Sequence, residues 1–245
     1  MRRPALTNKA MLCIIALLCV TPTAFAQSGR PPFTKALVVD DRLSALRRYP
    51  DAKAPVSRRL HTGRPVFIIA SKKSGPDQAR FYRVAATRRT RGWIHEAALA
   101  VPGRAGDDER LMKLIENADG VDRITLCLLF IEHFNRSRLA PRAWLAIGEE
   151  ADHAAATLTR NARRRLKALG GGNGNASLRD YYLNDAGLDR YSRLYVAFDF
   201  KDSTSEYAYD GRAYREIIRR FPNSEEARIA RARLDRPGQR MADEK

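Results

Sequence analysis

Hydrophobic residues change their period once along this chain of 245 residues. Up to about residue 102 they come in short runs divided by turn residues. Ala36-Leu37-Val38-Val39 stops at Asp40-Asp41, and Val66-Phe67-Ile68-Ile69 follows the turn Gly63-Arg64-Pro65. Arg80-Phe81-Tyr82-Arg83-Val84 follows Ser74-Gly75-Pro76-Asp77, and Thr90-Arg91-Gly92-Trp93-Ile94 closes the set. This spacing of β-branched and aromatic runs predicts a small barrel or sandwich. From Asp107 the apolar residues recur every three or four positions, which predicts helices. The expected fold is a multi-domain α and β chain. A small β-barrel spans 35–102, an α-helical domain spans 103–235, and 236–245 form a disordered tail.

The N-terminus has its own pattern. Arg2, Arg3 and Lys9 precede the apolar run Met11–Val20, and Ala24-Phe25-Ala26 follows it. A basic start, a short apolar stretch and a small-x-small end read as a secretory signal peptide over 1–26, cut after Ala26. The run is too short for a stable anchor, and no later stretch is apolar enough to cross a membrane. Cys19 invites a lipid-attachment reading, but Leu18 stands where that chemistry places a small residue. Residues 27–34 read as a linker. The expected location is the periplasm or the cell exterior. Cleavage removes Cys13 and Cys19 and leaves Cys127 without an intramolecular disulfide partner.

Charge is distributed unevenly. The chain carries 45 Lys+Arg against 28 Asp+Glu, a formal +17. Between 33 and 102 stand 15 basic and 5 acidic residues, a net +10, whereas the chain from 103 onward is nearly balanced. Such a surface attracts anionic polymers at long range. An arginine-rich composition without any function would also produce it, and the sequence leaves both readings open.

Within the β-rich stretch, Leu43, Leu46, Arg47 and Pro50 come first, then Gly63, Val66 and Ile68. Phe81-Tyr82 and Val84 follow, then Gly92-Trp93-Ile94 and Leu99. In this order they resemble a bacterial Src-homology-3-like (SH3b) domain over about 35–102, with the Gly-Trp step carrying most of the likeness. The family's central strand more often has Trp where this chain has Phe81 or Tyr82. The resemblance implies an SH3-like β-barrel that binds an envelope component. By composition alone, Trp93 serves a small core more often than a ligand, and Gly63 and Gly92 serve tight turns.

The helical stretch is expected to open at Asp107-Asp108-Glu109, with a stripe of Leu111, Leu114 and Ile115. A second helix follows, capped by Asp119 and carrying Val121, Ile124, Leu128, Ile131 and Phe134. A third runs from near 137–141 to Leu169, broken by the glycine run at 170–175. That run lacks the Gly-Lys-Ser/Thr ending of a phosphate loop. An internal repeat is present. Phe134, Ser137, Ala140, Ala143 and Ile147 match Phe221, Ser224, Ala227, Ala230 and Leu234 in spacing, with 87 residues between copies. The second copy, Tyr214 to Ser224 with Phe221-Pro222-Asn223-Ser224 at its end, resembles the turn of tetratricopeptide-like helix pairs. The separation is far from their period of about 34 residues.

Seven of the nine tyrosines fall between 181 and 214. Leu194, Val196, Phe198 and Phe200 alternate with other residues, and Glu206-Tyr207-Ala208-Tyr209 returns after a polar turn, which reads as a β-hairpin near 194–210. The hairpin is either packed on the helices or a contact surface. The candidate binding surface comprises Tyr82, Trp93, Arg88, Arg89, Arg91, Tyr207 and Tyr209.

Catalytic patterns are not apparent. His61, His95, His133 and His153 lack metal-site spacing, and Glu149-Glu150-Ala151-Asp152-His153 lacks the zinc-protease arrangement. Cys127, with His133 nearby, lies in the apolar run Leu126–Phe130 and reads as core. No catalytic residue, cofactor or metal is expected. The function expected is a non-enzymatic adaptor of the bacterial envelope that binds peptidoglycan or another anionic envelope component, with a protein partner on the helices. Export argues against nucleic acid. The alternative is a cell-wall hydrolase, or an accessory subunit of one, with an unrecognised site.

Overall fold

The computed structural model describes residues 33–75, 78–168 and 186–235. The leader, residues 27–32 of the linker, the glycine run and the tail lie outside the described residues. The chain is mixed α and β. Seven strands come first: β1 (Thr34–Val38), β2 (Ala45–Arg47), β3 (Val56–Arg59), β4 (Pro65–Ser74), β5 (Ala79–Ala85), β6 (Arg91–His95) and β7 (Leu99–Ala100). They hydrogen-bond in the order β3-β2-β6-β5-β4-β1-β7, every pairing antiparallel. Strand β1 begins at Thr34, inside the expected linker.

Alternation along the strands sorts the side chains. Ala36 and Val38 point into a core shared with Leu46, Val66, Tyr82, Val84, Ile94 and Leu99. Leu37 and Val39, the residues between and beyond them, point the other way. With Ala100 they join a second core made by the helices. β1 is therefore buried on both faces and serves two cores at once. The change of period at Gly103 marks where sheet gives way to helices, and packing continues across it. The described residues, from Phe33 onward, form one compact unit.

The helices are α1 (Asp107–Glu116), α2 (Gly120–His133), α3 (Ala140–Ala168), α4 (Ala186–Ser192), α5 (Arg212–Arg220) and α6 (Glu225–Leu234). In α2 the buried stripe is Ile124, Leu126, Cys127 and Phe130. Of the expected Val121, Ile124, Leu128, Ile131 and Phe134, only Ile124 and Phe134 are buried, and Leu128 and Ile131 pack partly against the core, because Leu126–Ile131 is apolar on every side and packing chooses the face. Leu129 reaches the sheet, where it lies against the left-handed turn at Gly63 (φ +82°). α5 crosses α3 closely. A side chain on Gly148 would put its Cβ 2.6 Å from Cζ of Tyr214, so only glycine admits that ring. The Tyr214 hydroxyl donates to Asp152 Oδ2 at 2.7 Å.

The two copies of the repeat form the same junction. Phe134 ends α2 and Phe221 ends α5, each N–H donating to the carbonyl four residues back, at 2.7 and 2.8 Å. The serine N–H then donates to the phenylalanine carbonyl, at 2.9 Å for Ser137 and 3.0 Å for Ser224. The caps differ. Ser224 Oγ accepts from Ala227 N in the N-cap geometry, whereas Ser137 Oγ accepts from Leu139 N and donates to Asp108 Oδ2. Ala140, Ala143, Ala227 and Ala230 are all buried, as helix approach requires.

A buried carboxylate ties β7 and the segment after it to α1. Asp107 is 5% exposed. Its Oδ2 accepts from Val101 N at 2.6 Å and from Arg104 Nε at 2.9 Å. Its Oδ1 accepts from Arg104 at 3.0 Å and from Arg110 at 3.3 Å. Arg104 continues to the Tyr82 hydroxyl at 2.8 Å. Arg110 donates to the carbonyls of Ala97 and Leu99, next to β7 and within it. Removing one partner from a buried ion pair costs about 3–5 kcal/mol. Asp107→Ala is expected to lose stability of that order in urea unfolding. A loss below about 1 kcal/mol, the range of an exposed pair, would show that the network does not hold sheet to helix.

Candidate functional site

The register of the sheet builds a row across its outer face. Arg47 on β2 stands opposite Trp93 on β6, and Trp93 stands opposite Arg83 on β5. Paired residues in an antiparallel sheet share a face, so the indole has a guanidinium stem on each side. Val56 extends the row on β3 and Ala70 extends it on β4. One step along, Arg91, Ala85, Phe67 and Lys35 form a parallel row. The inner face at these strands is closed by Tyr82, Val84 and Ile94, so the outer residues have no core to enter.

Trp93 is half-buried and lies outside the sheet core, contrary to the commoner use of tryptophan in a small domain. Gly92 explains how it gets there. It sits inside β6, not at a turn as expected. A Cβ on it would meet the Arg47 carbonyl oxygen at 3.1 Å and Leu46 Cβ at 3.2 Å. Glycine thus lets β6 press against β2 and sets Trp93 beside Arg47. The result is a groove of about 320 Å³ lined by Arg47, Arg48, Tyr49, Arg83, Arg91 and Trp93, with Ser57 and Gly92 completing it. No acidic residue lines it.

Electrostatics separate this face from the helices. Arg48, Arg83, Arg88, Arg89 and Arg91 have no carboxylate partner among the described residues, and Arg47 donates only to the Ala54 carbonyl. On the helices the pattern is pairing. Arg142 meets Glu116 at 2.6 Å, Arg163 meets Glu206 at 3.0 Å, and Glu216 holds both Arg219 and Arg220. The excess charge of the β-rich stretch is therefore left free on its surface.

The expected surface residues divide into two groups. Arg88, Arg89 and Arg91 are exposed, the first two on the β5–β6 turn, and Trp93 lies beside Arg91 in the groove. Tyr82 is 7% exposed and points inward, bonded to Arg104 and Glu96. Tyr207 and Tyr209 are 7% and 3% exposed. The hairpin, β8 (Phe198–Lys201) with β9 (Glu206–Tyr209), lies on α3. Tyr207 packs with Ala155, Leu158 and Ala162, and its N–H donates to Thr159 Oγ1. Tyr209 accepts from Ala213 N, and burial pushes its phenol well above the ordinary tyrosine range. These three tyrosines, expected on the binding surface, are instead core residues, because neighbouring elements cover their rings and bond to them through Arg104, Thr159 and Ala213. Sequence reasoning missed Arg47, Arg83 and Tyr49 as parts of the groove, because cross-strand register is invisible in a linear pattern.

Other chemistry-bearing residues are placed as follows. Cys127 is fully buried, and that burial pushes its thiol up to about 12, with Arg123 opposing. His133 lies by Glu132 and His153 by Glu150. Glu149 faces Arg123 and Arg233. Among the described residues no three His, Cys, Asp or Glu side chains gather as metal ligands, and no helix is long and apolar enough to cross a membrane. No protein-family model matches the chain, and no curated protein or solved structure matches it.

A thiol held as Cys127 is has little thiolate at pH 8. Its labelling by a thiol reagent is expected to await unfolding, with the native protein protected and the denatured protein modified at once. Rapid native labelling at that pH would contradict the burial.

Proposed function

We propose that this protein is an exported, non-enzymatic binding or adaptor protein of the bacterial cell envelope. In this reading the sheet is an SH3b-like barrel, and its outer groove binds peptidoglycan or another anionic envelope component. The helices are tetratricopeptide-like pairs that support the sheet or bind a protein partner. The observation that carries the proposal is the row Arg47–Trp93–Arg83, an aromatic platform between two cations in a groove without acidic residues. An indole face suits a sugar ring or another flat apolar group, and the guanidinium forks suit carboxylate or phosphate. The shared junctions at Phe134 and Phe221 support the helix-pair reading. Export rests on the N-terminal pattern of residues 1–26. Wall hydrolysis through Cys127 is disfavoured, because its thiol sits inside the helical core.

The protein as the cell processes it, starting at Gln27, is expected to be retained on purified cell wall at low salt and released as salt rises. Trp93→Ala is expected to weaken retention by about 2 kcal/mol, the scale of an aromatic anchor, with little change in melting temperature. Equal retention of Trp93→Ala and the parent chain would remove the groove from the function.

A further inference from the structure

A second groove, of about 460 Å³, opens at the rim of the inner face of the sheet. Its floor is Leu60 and Ala86, which pack with the sheet core. Arg58 on its wall stands opposite Leu46, whose side chain enters that same core. The groove shares no lining residue with the one around Trp93. Three segments converge on it. Arg58 and Arg59 come from the end of β3, His61 and Arg64 from the turn before β4, and Thr87 and Thr90 from the β5–β6 turn. No acidic residue lines it. The three arginines are exposed, and their side chains have no partner among the described residues.

Both turns are tied to the frame. Gly63 N–H donates to the Val38 carbonyl at 2.8 Å, and Val38 N–H donates to the Arg64 carbonyl at 3.0 Å. Thr62 donates to Asp41 Oδ1 through its N–H and Oγ1, at 2.6 and 2.8 Å. Leu129 of α2 backs the same turn at Gly63. Asp41 is thus bonded to the lining, but with Asp40 and Asp122 it lines the neighbouring cavity and not this groove. In the other turn, Ala86 N–H donates to the Thr90 carbonyl at 2.9 Å. Thr87 Oγ1 accepts from the N–H groups of Arg89 and Thr90, at 3.3 and 2.9 Å, which leaves its own proton to donate. The cations are therefore gathered on a preformed surface, and a ligand does not have to order the backbone that carries them.

The lining selects the chemistry of the ligand. Three guanidiniums face no carboxylate, and their repulsion is relieved by an anion. A carboxylate brings one charge and two oxygens. A phosphate monoester brings about −1.5 to −2 at pH 7 and three terminal oxygens, which suit forked guanidinium donors from several directions. Leu60 and Ala86 give an apolar group next to the phosphate a surface to cover. The volume is that of a small-molecule site.

We propose that this groove is a separate binding site for a phosphate monoester carrying a small apolar group. It goes beyond the reading of the Trp93 face and stands apart from it. The test titrates the protein starting at Gln27 with phenyl phosphate, phenyl sulfate and inorganic phosphate in a calorimeter at pH 8. Phenyl phosphate is expected to bind at least about fivefold tighter than phenyl sulfate, the gain of one more charge about 4 Å from a cation in a watery setting. It is also expected to bind tighter than inorganic phosphate, which cannot cover the floor. Replacing Arg58, Arg59 and Arg64 together by Ala is expected to weaken phenyl phosphate at least about tenfold, with an unchanged melting curve. Backbone amide shifts in the parent chain give a reading that needs no variant. Phenyl phosphate is expected to move residues 58–64 and 86–90 and to leave Arg47 and Trp93 in place. Vesicles of phosphatidic acid offer the same group on a lipid. Vesicle binding that the triple variant loses would identify a lipid headgroup as the source, and phenyl phosphate binding without it a soluble ester. Equal affinity for the phosphate and sulfate esters, equal affinity for phenyl and inorganic phosphate, an unaltered triple variant, or shifts spread over all exposed arginines would each overturn the proposal. Trp93→Ala is expected to bind phenyl phosphate as the parent chain does, even where it fails on cell wall. Loss of phenyl phosphate binding in Trp93→Ala would contradict a separate site.

Discussion

The carboxylate of Asp107 is the point on which the rest of the structure is hung. It sits at the start of α1, where the helix dipole favours a negative charge, and is almost wholly buried. Two arginines and one backbone N–H satisfy it. Those arginines in turn hold Tyr82 from the sheet and the carbonyls around β7. A buried charge is tolerable only when so compensated. The partners come from the segment after β7 and from α1, and through Tyr82 and the Leu99 carbonyl they reach the sheet, so they are satisfied together only when sheet and helices are docked.

Docking at that edge determines what the other face of the sheet can be. β1 and β7 send their outward residues into the helical core, so the helices cover one flank of the sheet. The face across β2, β6 and β5 is left to solvent. There the alternation that buries Tyr82, Val84 and Ile94 turns Arg83, Arg91 and Trp93 outward. The helices meanwhile neutralise many of their arginines with glutamates one turn away or on a neighbouring element. Free positive charge and an aromatic platform therefore accumulate on one surface, over a frame with two cores beneath it.

Much of this was legible from residue patterns, and the rest was hidden for identifiable reasons. Short runs between glycine and proline turns located β4, β5 and β6. The matched Phe-x-x-Ser spacing found two junctions with the same backbone bonds. The hairpin lay where alternation placed it. The stripe of α2 could not be read, because Leu126 to Ile131 is apolar on every side. Gly92 looked like a turn residue because glycine's commonest role is conformational, whereas its role here is steric and depends on β2. Arg47 and Arg83 are 36 positions apart and become neighbours of Trp93 only through register. Tyr207 and Tyr209 looked like a surface because tyrosine suits both interfaces and cores, and Thr159 and Ala213 on other elements decide between them.

The central claim is that ligand meets this protein on the outer row of the sheet and not on the tyrosine hairpin. Backbone amide shifts recorded while a soluble cell-wall fragment is titrated in test it most directly. The account predicts changes concentrated at Arg47, Arg83, Arg91, Gly92 and Trp93, with Phe198 to Tyr209 unmoved. Changes centred on the hairpin and α3, with β2 and β6 silent, would contradict it.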